Sequence, residues 1–333
     1  MFDVERIVKR VLITGGTGFV GSHAVETYLN AGWSVRAFIR DPNRLVWLSN
    51  LNIETAVGKL SDRDSLKRAA EACDTVVHCA GLTKALHKEE FFRVNGDAVR
   101  DFAEAAREQG VRRFILCSSQ AAAGPSCSEQ PRTETDEPAP VSVYGMSKLA
   151  GESALRNAAG DMEWVILRPP AIIGPRDWQF LPLFKGIIKL GLYPKFGSGR
   201  QLYSFASVFD VVKALLMVGT YEGPVNQLYF VAHDEPVDWQ IASQEIAGYV
   251  NRRVRNLTLP AGLLDMIGTF NDAVASVSGK PALLSREKVK EILVSGWVCS
   301  NAKIKRDWKF ECDYDLRRTL RTTYDFYKSC GKL

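Results

Sequence analysis

With 333 residues, of which 46% are hydrophobic and 24% charged, the chain has ordinary globular composition, which excludes a disordered or fibrous protein and allows one large domain or two intimate ones. Its 43 basic and 38 acidic residues leave a formal charge of +5. They are scattered without a run of like charges long enough for a nucleic-acid arm, so no nucleic-acid partner is expected.

Along the chain, apolar β-rich runs at residues 10–13, 34–39, 75–79, 113–118 and 164–168 alternate with helical patterns at 21–31, 44–49, 89–109 and about 143–158. That alternation predicts an α/β fold, a doubly wound parallel sheet of the Rossmann type. After Arg168 the rhythm breaks at Pro169, Pro170, Gly174, Pro175, Pro182, Pro194, Gly197 and Gly199, and helical pieces are read there without strands between them. A buried helix at 208–218 and a returning strand at 227–231 bring the chain back to the sheet. The expected division is a dinucleotide-binding domain over 1–170, rejoined at about 204–232. A smaller, mostly C-terminal substrate-binding region takes 171–203 and 233–333.

Seven cysteines (Cys73, Cys79, Cys117, Cys127, Cys299, Cys312 and Cys330) show no CxxC or CxH spacing and read as reduced thiols. His23, His78, His87 and His233 show no metal-ligand spacing, so no metal is expected. The opening MFDVERIVKRVLITGG places charges before its apolar run and a glycine turn after it, unlike a targeting peptide. The stretch 208–218 is interrupted by Asp210 and Lys213 and falls short of the ~20 residues a membrane span needs. A cytoplasmic protein without a membrane span is expected.

TGGTGFVG follows the first strand and opens a helix. Gly15, Gly18 and Gly21 permit the tight turn, the approach of backbone to a diphosphate and close helix packing, with Thr17, Phe19 and Val20 in the same turn. The helix N-terminus then offers unpaired amides and a positive dipole end to the phosphates of a dinucleotide. At the end of the second strand, where an acidic residue would accept from a ribose 2′-hydroxyl, the sequence reads Ile39-Arg40-Asp41. Arg40, helped by Arg44, suits a 2′-phosphate. NADP(H) is therefore favoured, and NAD(H) stays open through Asp41.

Tyr144 and Lys148 are four residues apart on a predicted helix and share a face. An ammonium beside a phenol favours the phenolate and suits the phenol to general acid or base work. Ser119, just past the strand at 113–118, would hold a substrate oxygen. Aromatic and aliphatic residues in the second region (Trp178, Phe180, Leu181, Phe184, Leu192, Tyr193, Phe196, Tyr203 and Phe205) would line an apolar pocket or simply pack.

These pieces, with VVHCAG, FFRVNGDAVRDFAEAA, CSSQAAAGP, YGMSKLAGE and LRPPAIIGP, resemble the extended short-chain dehydrogenase/reductase family, also called the NAD-dependent epimerase/dehydratase family, over most of the chain. The resemblance implies that Tyr144 is the catalytic acid or base, that Lys148 binds the nicotinamide ribose and lowers the tyrosine pKa, and that Ser119 stabilises the substrate oxygen. It implies contacts to the nicotinamide half from the turn at 78–81, including Ala80 and Gly81, and from that at 169–172, including Pro170 and Ile172. Lys59-Leu60 stands at the adenine, where the family carries an Asp-hydrophobic pair. It also implies a homodimer through two helices, one carrying Tyr144 and Lys148.

Within the family, Ala171 and Tyr203 replace the asparagine and arginine with which nucleotide-sugar epimerases grip a diphosphate, and Gln120-Ala121 replaces the Asp-Glu pair of sugar dehydratases. What remains resembles the branch of 3β-hydroxysteroid dehydrogenases and dihydroflavonol reductases. The expected activity is interconversion of a secondary alcohol and a ketone on a hydrophobic sterol-, flavonoid- or acyl-derived molecule. A sugar epimerase and a non-catalytic dinucleotide sensor are the alternatives.

Overall fold

The computed structural model describes residues 9–126, 130–196, 201–282, 284–294 and 296–333. Cys127, Gly197, Gly199 and the side chain of Phe196 lie outside that description. The chain begins with β1 (Arg10–Thr14), α1 (Phe19–Asn30), β2 (Ser34–Ile39), β3 (Glu54–Val57), α2 (Arg63–Ala70) and β4 (Thr75–His78). There follow α3 (Lys88–Phe92), α4 (Ala98–Glu108), β5 (Arg113–Cys117), α5 (Val143–Ala158) and β6 (Glu163–Arg168). Beyond these come β7 (Ala171–Ile173), α6 (Leu181–Lys185), β8 (Leu192–Phe196), β9 (Leu202–Tyr203), β10 (Phe205–Ser207), α7 (Val208–Thr220) and β11 (Gln227–Phe230). The chain ends with β12 (Val237–Asp238), α8 (Trp239–Gly248), β13 (Arg255–Leu259), α9 (Ala261–Ser278), α10 (Arg286–Ile292), β14 (Gly296–Trp297), α11 (Ala302–Trp308) and α12 (Leu316–Ser329).

Seven parallel strands form one sheet in the order β3-β2-β1-β4-β5-β6-β11. The strands are apolar on both faces because helices cover both. Val11, Ile13, Val77, Ile115 and Leu167 point into a core shared with Tyr28 of α1 and Leu215 of α7. Leu12, Val76, Phe114, Leu116 and Ile166, one residue out of phase, point into a second core with Leu66, Phe102 and Leu155. Strand order reverses between β1 and β4, so the loops leaving these strands part and open a crevice at the C-terminal edge of the sheet.

Three expectations are corrected. Residues 44–49 are not helical: Arg44 N–H donates to Asp41 O (3.1 Å), Leu48 N–H to Leu45 O (2.8 Å) and Leu51 N–H to Leu48 O (3.1 Å) in successive tight turns that bury Leu48. So short a run cannot meet the cost of helix nucleation by itself. The helix expected at 89–109 is interrupted by a π-helical turn at Arg93–Asp97. The region after Arg168 does contain strands, paired β7 with β10, β9 with β12 and β14, and β8 with β13. They run two to five residues, too short for most to show periodicity. A third core here joins Phe184, Phe205, Ile246, Leu320 and Tyr327. Among the described residues no helix is long and apolar enough to cross a membrane.

Candidate active site

The glycine turn is shaped by close approaches. Gly15 has φ +70°, and a β-carbon there would lie 2.8 Å from Ala80 N. The turn after β1 therefore passes against the loop after β4 only because no side chain projects from it. A β-carbon at Gly21 would overlap the Gly15 carbonyl, so α1 starts flush on β1. Gly18 is the N-cap of α1, its N–H donating to Gly15 O at 2.8 Å, and no side chain caps the helix. The first-turn amides are left for an anion, and the cradle fits a dinucleotide diphosphate. Beneath it, Ala80 N–H donates to Thr14 Oγ1 (3.1 Å), which pairs with His78 Nδ1 at 2.9 Å. Burial first, and then the charge of Lys148, pulls the His78 pKa down to about 3, so its ring is neutral.

Ser119, Tyr144 and Lys148 converge on the same crevice. Ser142 caps α5 by accepting from Gly145 N–H (3.0 Å). A β-carbon at Gly145 would overlap the Ala121 carbonyl, so α5 is pressed onto the loop that carries Ser119. Lys148 is buried and donates to Cys117 O at 2.7 Å. Burial is the main influence lowering its pKa, offset by Cys117, Glu152 and Cys79. Burial likewise pushes the Tyr144 phenol well above its ordinary value, and a hydrogen bond with Ser119 pulls it back.

Behind these groups lies a buried polar network that the sequence reading did not single out. Glu152 receives Arg168 through Nε (2.8 Å) and a terminal nitrogen (2.6 Å), and Ser118 Oγ donates to it at 2.5 Å. Asn95, in the π-helical turn, accepts from Leu82 N–H (2.8 Å) and donates to Leu82 O (2.9 Å) and Ser147 Oγ (2.9 Å). It ties the loop after β4 to α5. The available signal was an asparagine inside a helical pattern, where its side chain competes with the backbone. From the far side, Glu287 accepts from Val143 N–H (2.9 Å) and Glu291 from Ser142 Oγ (2.5 Å), docking α10 on the start of α5.

The crevice has a volume of about 1660 Å³, room for a dinucleotide and a second molecule beside it. Of the nine apolar candidates, Phe180, Tyr193 and Tyr203 line it. Phe184 and Phe205 belong to the third core, and Trp178 stacks on Tyr327 (5.9 Å). Trp239, stacked on Phe180 at 5.1 Å, and Trp297 also line the crevice and were missed. Ala171 and Tyr203 both stand on the wall, and the Tyr203 hydroxyl donates to Gln201 (3.1 Å).

The model of the NAD dependent epimerase/dehydratase family matches residues 11–232. The chain belongs to that family. A ceramide reductase of Caulobacter vibrioides is 32% identical over 326 residues, covering 97% of this chain and 96% of that protein. A decarboxylating sterol-4-alpha-carboxylate 3-dehydrogenase of Homo sapiens is 30% identical over 265 residues, 74% of this chain and 69% of that protein. The structure of UDP-glucose 4-epimerase from Thermotoga maritima with UDP-glucose superposes with a TM-score of 0.79 at 20% identity, covering 97% and 99% of the two chains, and supports the fold. With its reductase and dehydrogenase relatives, this family member is an NAD(P)-dependent oxidoreductase of the extended short-chain type.

For this oxidoreductase, Gly15, Thr17, Gly18, Phe19, Val20 and Gly21 line the crevice beside Arg40, Lys59 and Leu60. Ala80, Gly81, Pro170 and Ile172 line it farther along. Arg40 is exposed at the end of β2. Asp41 accepts from Asn43 N–H (3.0 Å), and neither it nor Arg44 lines the crevice. Among the described residues no cluster is arranged to hold a metal ion.

Proposed function

We propose that this oxidoreductase interconverts a secondary alcohol and a ketone on an apolar small molecule, with NADP(H) preferred. The observation that carries the reading is the meeting of Ser119, Tyr144 and Lys148 with an aromatic wall on which Ala171 and Tyr203 offer no bidentate cation or amide to a diphosphate. A pyrophosphate substrate would find no amide or guanidinium partner at those two positions. An apolar one would bury surface on Phe180, Tyr193 and Trp239. Residues 171–203 and 233–333 supply the substrate side, and the similarity to a ceramide reductase and a sterol dehydrogenase supports that class.

When bound, the dinucleotide supplies or accepts the hydride at the substrate carbon. Ser119 orients the substrate oxygen. Tyr144, held protonated by burial, delivers its proton to that oxygen in reduction and recovers one in oxidation. Lys148 holds the nicotinamide-side ribose, and its charge offsets the phenolate that each reduction leaves. Arg40 pairs with a 2′-phosphate. We carry a homodimer through two helices, one of them α5, with the same reading.

The test combines a screen of apolar ketones with titration by NADPH and NADH. NADPH should bind more tightly, and Arg40→Ala should erase most of that preference, worth roughly tenfold or more for one charge-assisted contact. Equal binding of both cofactors refutes the preference. A cofactor that copurifies without exchange, together with turnover of a nucleotide sugar only, refutes the ketone reading in favour of an epimerase.

A further inference from the structure

Helix α9 stands outside the packing that holds the rest of the chain. Among the described residues none of its side chains belongs to a hydrophobic core cluster. It is held by α10 and the segment before it. A β-carbon on Gly268 would lie 3.0 Å from Arg286 Cα, Asp272 accepts from Arg286 N–H (3.0 Å), Asp265 pairs with Arg286 (3.2 Å), and Asn271 donates to Leu284 O (2.9 Å). On that inner side Asp272, Ala275 and Ser276 line the crevice.

The outer side is apolar. Leu263, Met266, Phe270, Val274 and Val277 are 41, 69, 68, 48 and 91% exposed. At about 100° per residue these five fall in an arc of about 80°, on the side away from the buried Leu264, Gly268 and Ala275, and they run about 21 Å along the axis. A helix on a protein surface normally turns such a stripe inward. The surroundings are basic: residues 251–290 hold seven basic and three acidic side chains. Exposed Arg253 and Arg255 precede α9 and exposed Lys280 follows it, and among the described residues these three make no ion pair.

We propose that α9 is a membrane-docking helix that lies in the surface of an anionic phospholipid bilayer. Met266, Phe270, Val274 and Val277 enter the acyl boundary, while Arg253, Arg255 and Lys280 meet headgroup phosphates. The crevice behind α9 then lies one helix away from the phase in which an apolar molecule is dissolved. A second copy of the chain is the poorer occupant. A stripe about 21 Å long and one helix wide (~10 Å) offers far less than the ~800 Å² per partner of a stable interface. A two-fold pairing would also bring like charges together at the flanks.

The experiment is sedimentation of the full chain, without substrate, with vesicles of phosphatidylcholine alone and with added phosphatidylglycerol. Because no substrate is present, the partitioning itself is independent of the ketone reading, and the thermal melt is the control that holds if that reading fails. The wild type should partition at least tenfold more strongly onto the anionic vesicles, and salt should weaken the binding. Phe270→Glu with Val277→Glu should abolish it while leaving the thermal melt and turnover of a water-soluble ketone unchanged. Equal partitioning of variant and wild type, or none by the wild type, overturns the proposal. So does a wild-type dimer that the double variant converts to monomer in light scattering, which would assign the stripe to a second copy.

Discussion

The two walls of the crevice are held in different ways. On the sheet side, Ser119, Tyr144 and Lys148 rest on strand ends locked by hydrogen bonds of Glu152, Arg168, Ser118 and Asn95. On the other side, Phe180, Tyr203 and Trp239 meet through ring contacts, and α9 shows an apolar face to the outside. Hydrogen bonds fix direction, whereas apolar contact tolerates rearrangement. The sheet side is built to place a proton within tenths of an ångström, and the opposite wall to accept a shape.

If that contrast is right, changes on the sheet side should damage chemistry or folding for every substrate, and changes opposite should alter selection. Tyr144→Phe is expected to lower turnover of any accepted ketone by roughly 10²- to 10⁴-fold with cofactor binding retained, as single-turnover kinetics and titration would show. Survival of full activity removes Tyr144 from the proton path. Glu152→Ala should cost about 3–5 kcal/mol, because the Arg168 guanidinium would stay buried without its carboxylate. Urea melts read this directly, and a loss below 1 kcal/mol would mean that the network is not a structural lock.

On the opposite wall, Trp239→Ala should reduce kcat/KM for bulky apolar ketones by roughly 10- to 100-fold, the worth of the lost aromatic contact. Its effect on small ketones and on cofactor affinity should be slight, and a uniform loss would blur the distinction between the walls. The smallest effect is expected at Asp177. Burial raises its pKa to about 6, and one carboxylate oxygen has no partner among the described residues. Since the unfolded carboxyl titrates near 3.8, the native state loses stability as pH rises from about 4 through 6. Asp177→Asn should then be more stable than the wild type by about 1–3 kcal/mol at pH 8, with the margin gone by pH 4. An equal margin at both pH values would show that the carboxylate is not the cause.

The sheet was legible because its strands are doubly buried and so continuously apolar, and because glycines at 15, 18 and 21 have few uses in that spacing. Tyr144 and Lys148 were legible by helical periodicity. Glu152, Arg168 and Asn95 were not, since a buried ion pair and an amide clamp look like surface residues until both partners are known. Strand β3 was missed because it is an edge strand whose four residues are largely exposed. Trp239 and Trp297 were missed because the short strands that carry the chain to them have no period to read.

The interleaving of the chain also sets an order of synthesis. Strand β6 is complete at Arg168, but its neighbour β11 begins only at Gln227, and the first core still awaits Ile304, Trp308 and Phe310. At about 5–20 residues per second, a ribosome leaves the β6 edge open for several seconds, and the first core without its last side chains for longer. An open parallel edge recruits other strands. The nascent chain is therefore most vulnerable to aggregation between the release of β6 and that of β11. A truncation before residue 227 would make a permanent state of what is normally a passing one.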